Sequence, residues 1–131
     1  MNKRFGLAER LLRDAEIELG EYKTKGEEAF LVQACEKGWD AVAQGLKAVN
    51  PEIKRHQDFG RTAARLAKEH NNPEIAVGEL CGETLHRSGF YEGELPAEIV
   101  EEGLSCIRNF LGFIKDILLN GKKIGKFGII K

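Results

Sequence analysis

The sequence predicts an all-α protein, an antiparallel up-and-down four-helix bundle with an additional short helix. Apolar residues recur at steps of three and four along almost the whole chain, the period that lines one face of a helix. No stretch shows the alternation of a half-buried strand. The joints between the periodic stretches are short and marked by glycine, proline or asparagine, which is how antiparallel neighbours in a bundle are connected.

Each element follows from its own residues. Ala8, Leu12, Ala15, Leu19 and Tyr22 align on one face of a first helix that begins near Lys3. It ends before Gly26, whose backbone suits a left-handed cap. A second helix runs from about Glu27 to Val49 with two apolar stripes, one through Leu31, Cys35, Trp39, Val42, Leu46 and Val49, the other through Phe30, Ala34, Ala41, Gly45 and Ala48. So wide an apolar arc places it at the centre. Asn50-Pro51 stops it. The third helix carries Phe59, Ala63, Leu66 and His70 on one face, with Asp58 expected to cap its start.

Asn72-Pro73-Glu74 is a restart signal: a cap, a proline for the first turn, then an acid for the dipole. The fourth helix is expected to bury Val77, Leu80, Cys81, Thr84 and Leu85 and to fray at Ser88-Gly89, followed by a loop from Phe90 to Leu95. Pro96 opens the longest helix, where Val100, Leu104, Ile107, Leu111, Ile114 and Leu118 step four and three. From Ala97 to Leu119 it would span about 35 Å. Asn120-Gly121 is expected to end it. Residues 1–121 then form a single helical-bundle domain, and residues 122–131 a short basic and apolar tail, frayed or docked on an apolar groove.

Composition sets the outer bounds. A chain of 131 residues has the size of one domain, and 42% hydrophobic with 31% charged residues is a globular balance rather than a disordered one. No apolar run approaches the roughly 18–20 residues of a spanning helix, and no leader pattern opens the sequence. The expectation is a cytoplasmic protein with no membrane partner. A formal net charge of −1 argues against coating nucleic acid by bulk charge. Cys35, Cys81 and Cys106 lie far apart without a CxxC pattern, so they read as reduced, structural thiols.

Glu83-x-x-His86 sets a carboxylate and an imidazole one turn apart, a spacing used in four-helix carboxylate metal proteins. Those proteins need it twice, and here it occurs once. No metal and no cofactor are therefore expected. Arg61, Arg65 and Lys68 form a basic stripe that could hold phosphates, extended upstream by Lys54 and Arg55, although Asp58 and Glu69 flank it as on an ordinary solvated face. No glycine-rich phosphate loop is present. Phe90 and Tyr91 could stack bases or plug a bundle end, and Trp39 reads as core.

Two segments carry a family resemblance. Gln33-Ala34-Cys35-Glu36-Lys37-Gly38-Trp39-Asp40-Ala41, continuing to Gly45-Leu46-Lys47-Ala48, is similar to the second-helix signature of archaeal PaREP-type proteins. Leu85-His86-Arg87-Ser88-Gly89-Phe90-Tyr91-Glu92 is similar to the family's segment before the last helix. That family resembles the HEPN superfamily of helical bundles. The resemblance implies a homodimer, with RNA, a nucleotide or a minimal nucleotidyltransferase among the partners. Nuclease members of the superfamily carry an arginine, four to six residues, then a histidine near the last core helix.

Here the corresponding segment has the order reversed, His86 before Arg87. The spacing occurs instead at Arg65 and His70 within the third helix, where five residues at ~100° leave the side chains about 140° apart. Catalysis is thus not assured, and the chain leans away from being an enzyme. The leading expectation is an HEPN-like module that binds RNA, a nucleotide or a protein, with Arg61, Arg65, Lys68 and Tyr91 as ligand contacts. The alternatives are a metal-independent, toxin-like ribonuclease using His86 with Arg87 or Arg65 with His70, and a purely structural dimerisation module that uses the tail residues Ile129 and Ile130.

Overall fold

The computed structural model of the chain describes residues 2–127, and side chains as far as residue 120. Its elements are α1 (Lys3–Lys25), α2 (Glu28–Val49), α3 (Gln57–Glu69), α4 (Glu74–Thr84), a π-helical segment over Leu85–Tyr91, and α5 (Ala97–Phe127). No strand occurs among the described residues.

The ends of the helices follow local chemistry. Asn2 caps α1 by accepting from the Phe5 N–H at 3.1 Å, which satisfies one of the donors a helix start leaves free. Gly26 closes α1 at φ 71°, its N–H donating to the Tyr22 carbonyl. Asn72 accepts from the Glu74 N–H at 3.1 Å, the expected restart. Asp58 sits inside the first turn of α3 rather than at its cap. Its carboxylate reaches back to the N–H groups of Lys54 and Arg55, and these bonds, together with Arg55 and Arg61 nearby, hold it below the usual carboxylate range.

Cross-helix contacts fix the topology. Asn2 donates to the Ala48 carbonyl and Arg4 reaches Gln44, so the start of α1 lies beside the end of α2. Lys23 pairs with Glu101 at 2.8 Å and Arg108 pairs with Glu16, which runs α5 antiparallel to α1. Cys81 meets Cys106, and Gly78 meets Phe110, so α4 is antiparallel to α5. The result is an up-down-up-down arrangement of α1, α2, α4 and α5, with α3 as the additional short helix. As its two stripes implied, α2 touches every other element.

Three sequence expectations are corrected. The buried face of α4 is Ile75, Gly78, Glu79 and Gly82, whereas Val77 and Leu80 are exposed at 41% and 61%. Two glycines on one face draw the helix backbone against its neighbours, and that close approach outweighs burial of the larger side chains on the other face. Secondly, the chain does not fray at Ser88-Gly89 or form a loop at Phe90. It continues as a π-helical turn, in which the Glu92 N–H donates to the Arg87 carbonyl five residues back. Gly89 allows this, because a Cβ there would collide with the Cys35 side chain. Finally, α5 passes through Asn120 and Gly121 to Phe127. One glycine costs a propagating helix only about 1 kcal/mol, too little to stop it. Residues 128–131, with Ile129 and Ile130, lie outside the described residues.

A Cβ added at Gly78 would stand 2.5 Å from Phe110 Cβ, while one at Gly112 meets nothing within 4 Å. Gly78→Ala is therefore expected to destabilise the bundle by roughly 1–3 kcal/mol despite its gain in helix propensity. Gly112→Ala should stabilise it by about 0.5–1 kcal/mol. Denaturant unfolding of the two variants checks the pair, and equal effects would contradict this packing.

Candidate functional site

The chemistry-bearing side chains converge where the middle of α2, the entry to α3 and the end of α4 meet. Trp39 points into this junction from α2 and is covered by rings from three directions. Its indole stacks on His86 with centroids 5.2 Å apart and lies 5.3 Å from His56. Phe59 meets it edge-on at 5.2 Å. The two imidazoles face each other at 5.6 Å, and Tyr91 and Phe90 continue the file from the π-helical turn. Tyr91 is 71% exposed, so the file runs from core to surface.

Each imidazole is held by a carboxylate. His56 Nε2 lies 2.9 Å from Glu83 Oε1, and His86 Nδ1 lies 3.0 Å from Glu36 Oε1. Such a partner fixes a ring's orientation and its tautomer. Beside this arrangement opens a cleft of about 460 Å³, lined by His56, Gln57, Gly60, Glu79, Glu83 and Arg87 among others.

Glu79 is the unusual member. It is 4% exposed, and its Oε2 has no hydrogen-bond partner in the protein. Burial, a hydrogen bond to Glu83 and that neighbour's charge push its carboxyl up to about 8. Glu83 moves the other way: burial opposes its ionisation, but the bonds from Glu79 and His56 outweigh that and lower it. The pair thus shares one proton near neutrality, with Glu79 the acid and Glu83 the carboxylate. Burial and the nearby Glu36 raise Asp40, with His86 and Lys47 opposing.

The sequence candidates separate into two groups. His86 and Tyr91 belong to the aromatic file, and Arg87 lines the cleft. Arg61, Arg65, Lys68 and His70 are exposed on α3 and its C-cap. There Arg61 pairs with Asp58 and Arg65 with Glu69, each within 4 Å, and none of the four lines the cleft. Within the Glu83-x-x-His86 motif the two side chains do not bond to each other: Glu83 engages His56 and His86 engages Glu36. His56 was missed. It lies in the irregular stretch after Pro51, where no period marks it, and only the return of the chain over Trp39 gives it a place. Among the described residues no group of three or more histidine, cysteine or acidic side chains is arranged to hold a metal ion, and no helix is long and apolar enough to cross a membrane.

A family model described as the archaeal PaREP1/PaREP8 family matches residues 4–111. No curated protein matches the chain. Among solved structures, the chain is similar to a crystal structure of a protein from Sulfolobus solfataricus. The two are 26% identical, with a TM-score of 0.68, over 85% of this chain and 95% of the other.

The displaced carboxyl of Glu79 has a signature in stability. Between 4.5, its ordinary value, and about 8 the folded state holds a proton that the unfolded state has lost. Stability must then fall as pH rises through that window, and level off above it. Glu79→Gln, which carries no such proton, is expected to remove this component of the slope. Urea midpoints for both proteins at several pH values test it, and superimposable profiles would show that Glu79 is already ionised.

Proposed function

The chain belongs to the archaeal PaREP1/PaREP8 family, and on that footing we propose that it is an HEPN-like module that binds single-stranded RNA or nucleotides, without a metal, in the cleft beside α3 and α4. The observation that carries the reading is the file of rings from Trp39 through His56 and His86 to Tyr91, buried at one end and open at the other. Unpaired bases stack on such rings. The cleft is suited to an anion because Glu79 is neutral and Arg87 lines it. Glu79 Oε2, buried and unpartnered, is suited to meet a donor on the edge of a base. Arg61, Arg65 and Lys68, on the exposed side of the helix that walls the cleft, are suited to phosphates of adjacent nucleotides.

A specific observation favours a second reading, a metal-independent ribonuclease. Two imidazoles with dedicated carboxylate partners stand 5.6 Å apart. One could take the proton of a 2′-hydroxyl while the other protonates the leaving oxygen, with Arg87 neutralising the phosphorane. In the HEPN-like reading a second copy of the chain completes the assembly.

Anisotropy of labelled single-stranded RNA, titrated at two salt concentrations with the same samples run on a gel, separates these readings. Binding with intact RNA is expected. His56→Ala and Tyr91→Ala should each weaken it by roughly 1–3 kcal/mol, and Arg87→Glu should reduce the salt slope by about 1. Cleavage lost in both His56→Ala and His86→Ala would favour the ribonuclease. Neither binding nor cleavage would leave a protein-interaction module.

A further inference from the structure

Away from the cleft, on the opposite face of α4, two cysteines that are distant in sequence meet. Cys81 Sγ lies 2.6 Å from Cys106 Sγ across the α4–α5 interface. Bonded sulfurs stand ~2.05 Å apart, so joining these two requires a further approach of only about half an ångström. Both side chains are partly exposed. They share a groove of about 340 Å³ with Thr84, Leu85, Ile99, Glu102 and Gly103, which is room for a small reagent to reach the sulfurs. Cys35 differs: it is buried, whereas both members of the pair are partly exposed.

We propose that Cys81 and Cys106 form a reversible dithiol–disulfide couple that clamps α4 to α5 and is oxidised by small-molecule disulfides entering through this groove. The Cys81 thiolate attacks one sulfur of the reagent RSSR, forming a mixed disulfide and releasing one thiolate RS⁻, which takes up a proton. Cys106 then loses its proton to solvent and attacks Cys81 Sγ. The internal disulfide forms and the second RS⁻ leaves and is protonated. The balance is two protein thiols plus RSSR giving one protein disulfide plus two RSH. The order follows from the surroundings of the two sulfurs. Burial, the hydrogen bond to Cys81 and the nearby charges of Cys81 and Glu74 push Cys106 up to about 12, so it is the poorer initial thiolate. Once Cys81 carries the leaving group, Cys106 is the thiol placed beside it to resolve the mixed disulfide.

The test is exposure of the reduced, folded protein to oxidised glutathione, followed by intact mass, thiol titration and peptide mapping under non-reducing conditions. The expected result is the loss of two of the three thiols with no retained glutathione, a peptide linking Cys81 to Cys106, and full reversal by dithiothreitol. Cys106→Ala should stop at one glutathione adduct on Cys81. The proposal is overturned if the wild-type protein keeps all its thiols, accumulates a stable adduct, or forms disulfides between molecules or through Cys35.

Discussion

The close approach of α4 to its neighbours is the constraint on which the rest of this molecule depends. It is made by absent side chains. Gly78 leaves room for Phe110, and Gly82 lies against Val42 and Trp39, where a Cβ would come within 3.0 Å of both. Gly38 and Gly45 on α2 play the same part toward Leu104 and Leu111 of α5. A bundle packed by large residues at every layer would hold these helices further apart. Here the separation is small enough for polar groups on α4 to reach across.

Both chemical features follow from that geometry. With its glycines facing the core, α4 buries Glu79 between them, turns Glu83 toward His56 and delivers the π-helical turn, with His86, onto Trp39. On its other flank it sets Cys81 against Cys106. The two sites therefore share a scaffold without sharing residues beyond Thr84 at their common border. The π turn adds one further element. By admitting an extra residue, it swings Phe90 and Tyr91 toward the imidazoles instead of releasing them into a loop.

The helices were largely legible because their apolar period and their caps act locally. Gly26 and Asn72 each perform the role their residue type suggests. The orientation of α4 was not. Val77, Leu80, Cys81 and Leu85 outbid two glycines in any count of apolar residues, yet Gly78 and Gly82, one turn apart, were the signal of close packing. Half of the site was visible: His86 and Tyr91 fall in the segment with the family resemblance. His56 and the burial of Glu79 depend on contacts made across the bundle, which no local pattern encodes. The same holds for the meeting of the cysteines, separated along the chain by a whole connection and parts of two helices.

Trp39 is the chain's single tryptophan, and its neighbours give it a further property. An excited indole transfers an electron readily to a protonated imidazole at stacking distance, and poorly to a neutral one. With His86 and His56 both within 5.3 Å of the ring, the indole is placed where a change at either imidazole would register in its emission. The molecule carries an optical gauge at the point where its helices, its acids and its bases meet, and no label need be added to read it.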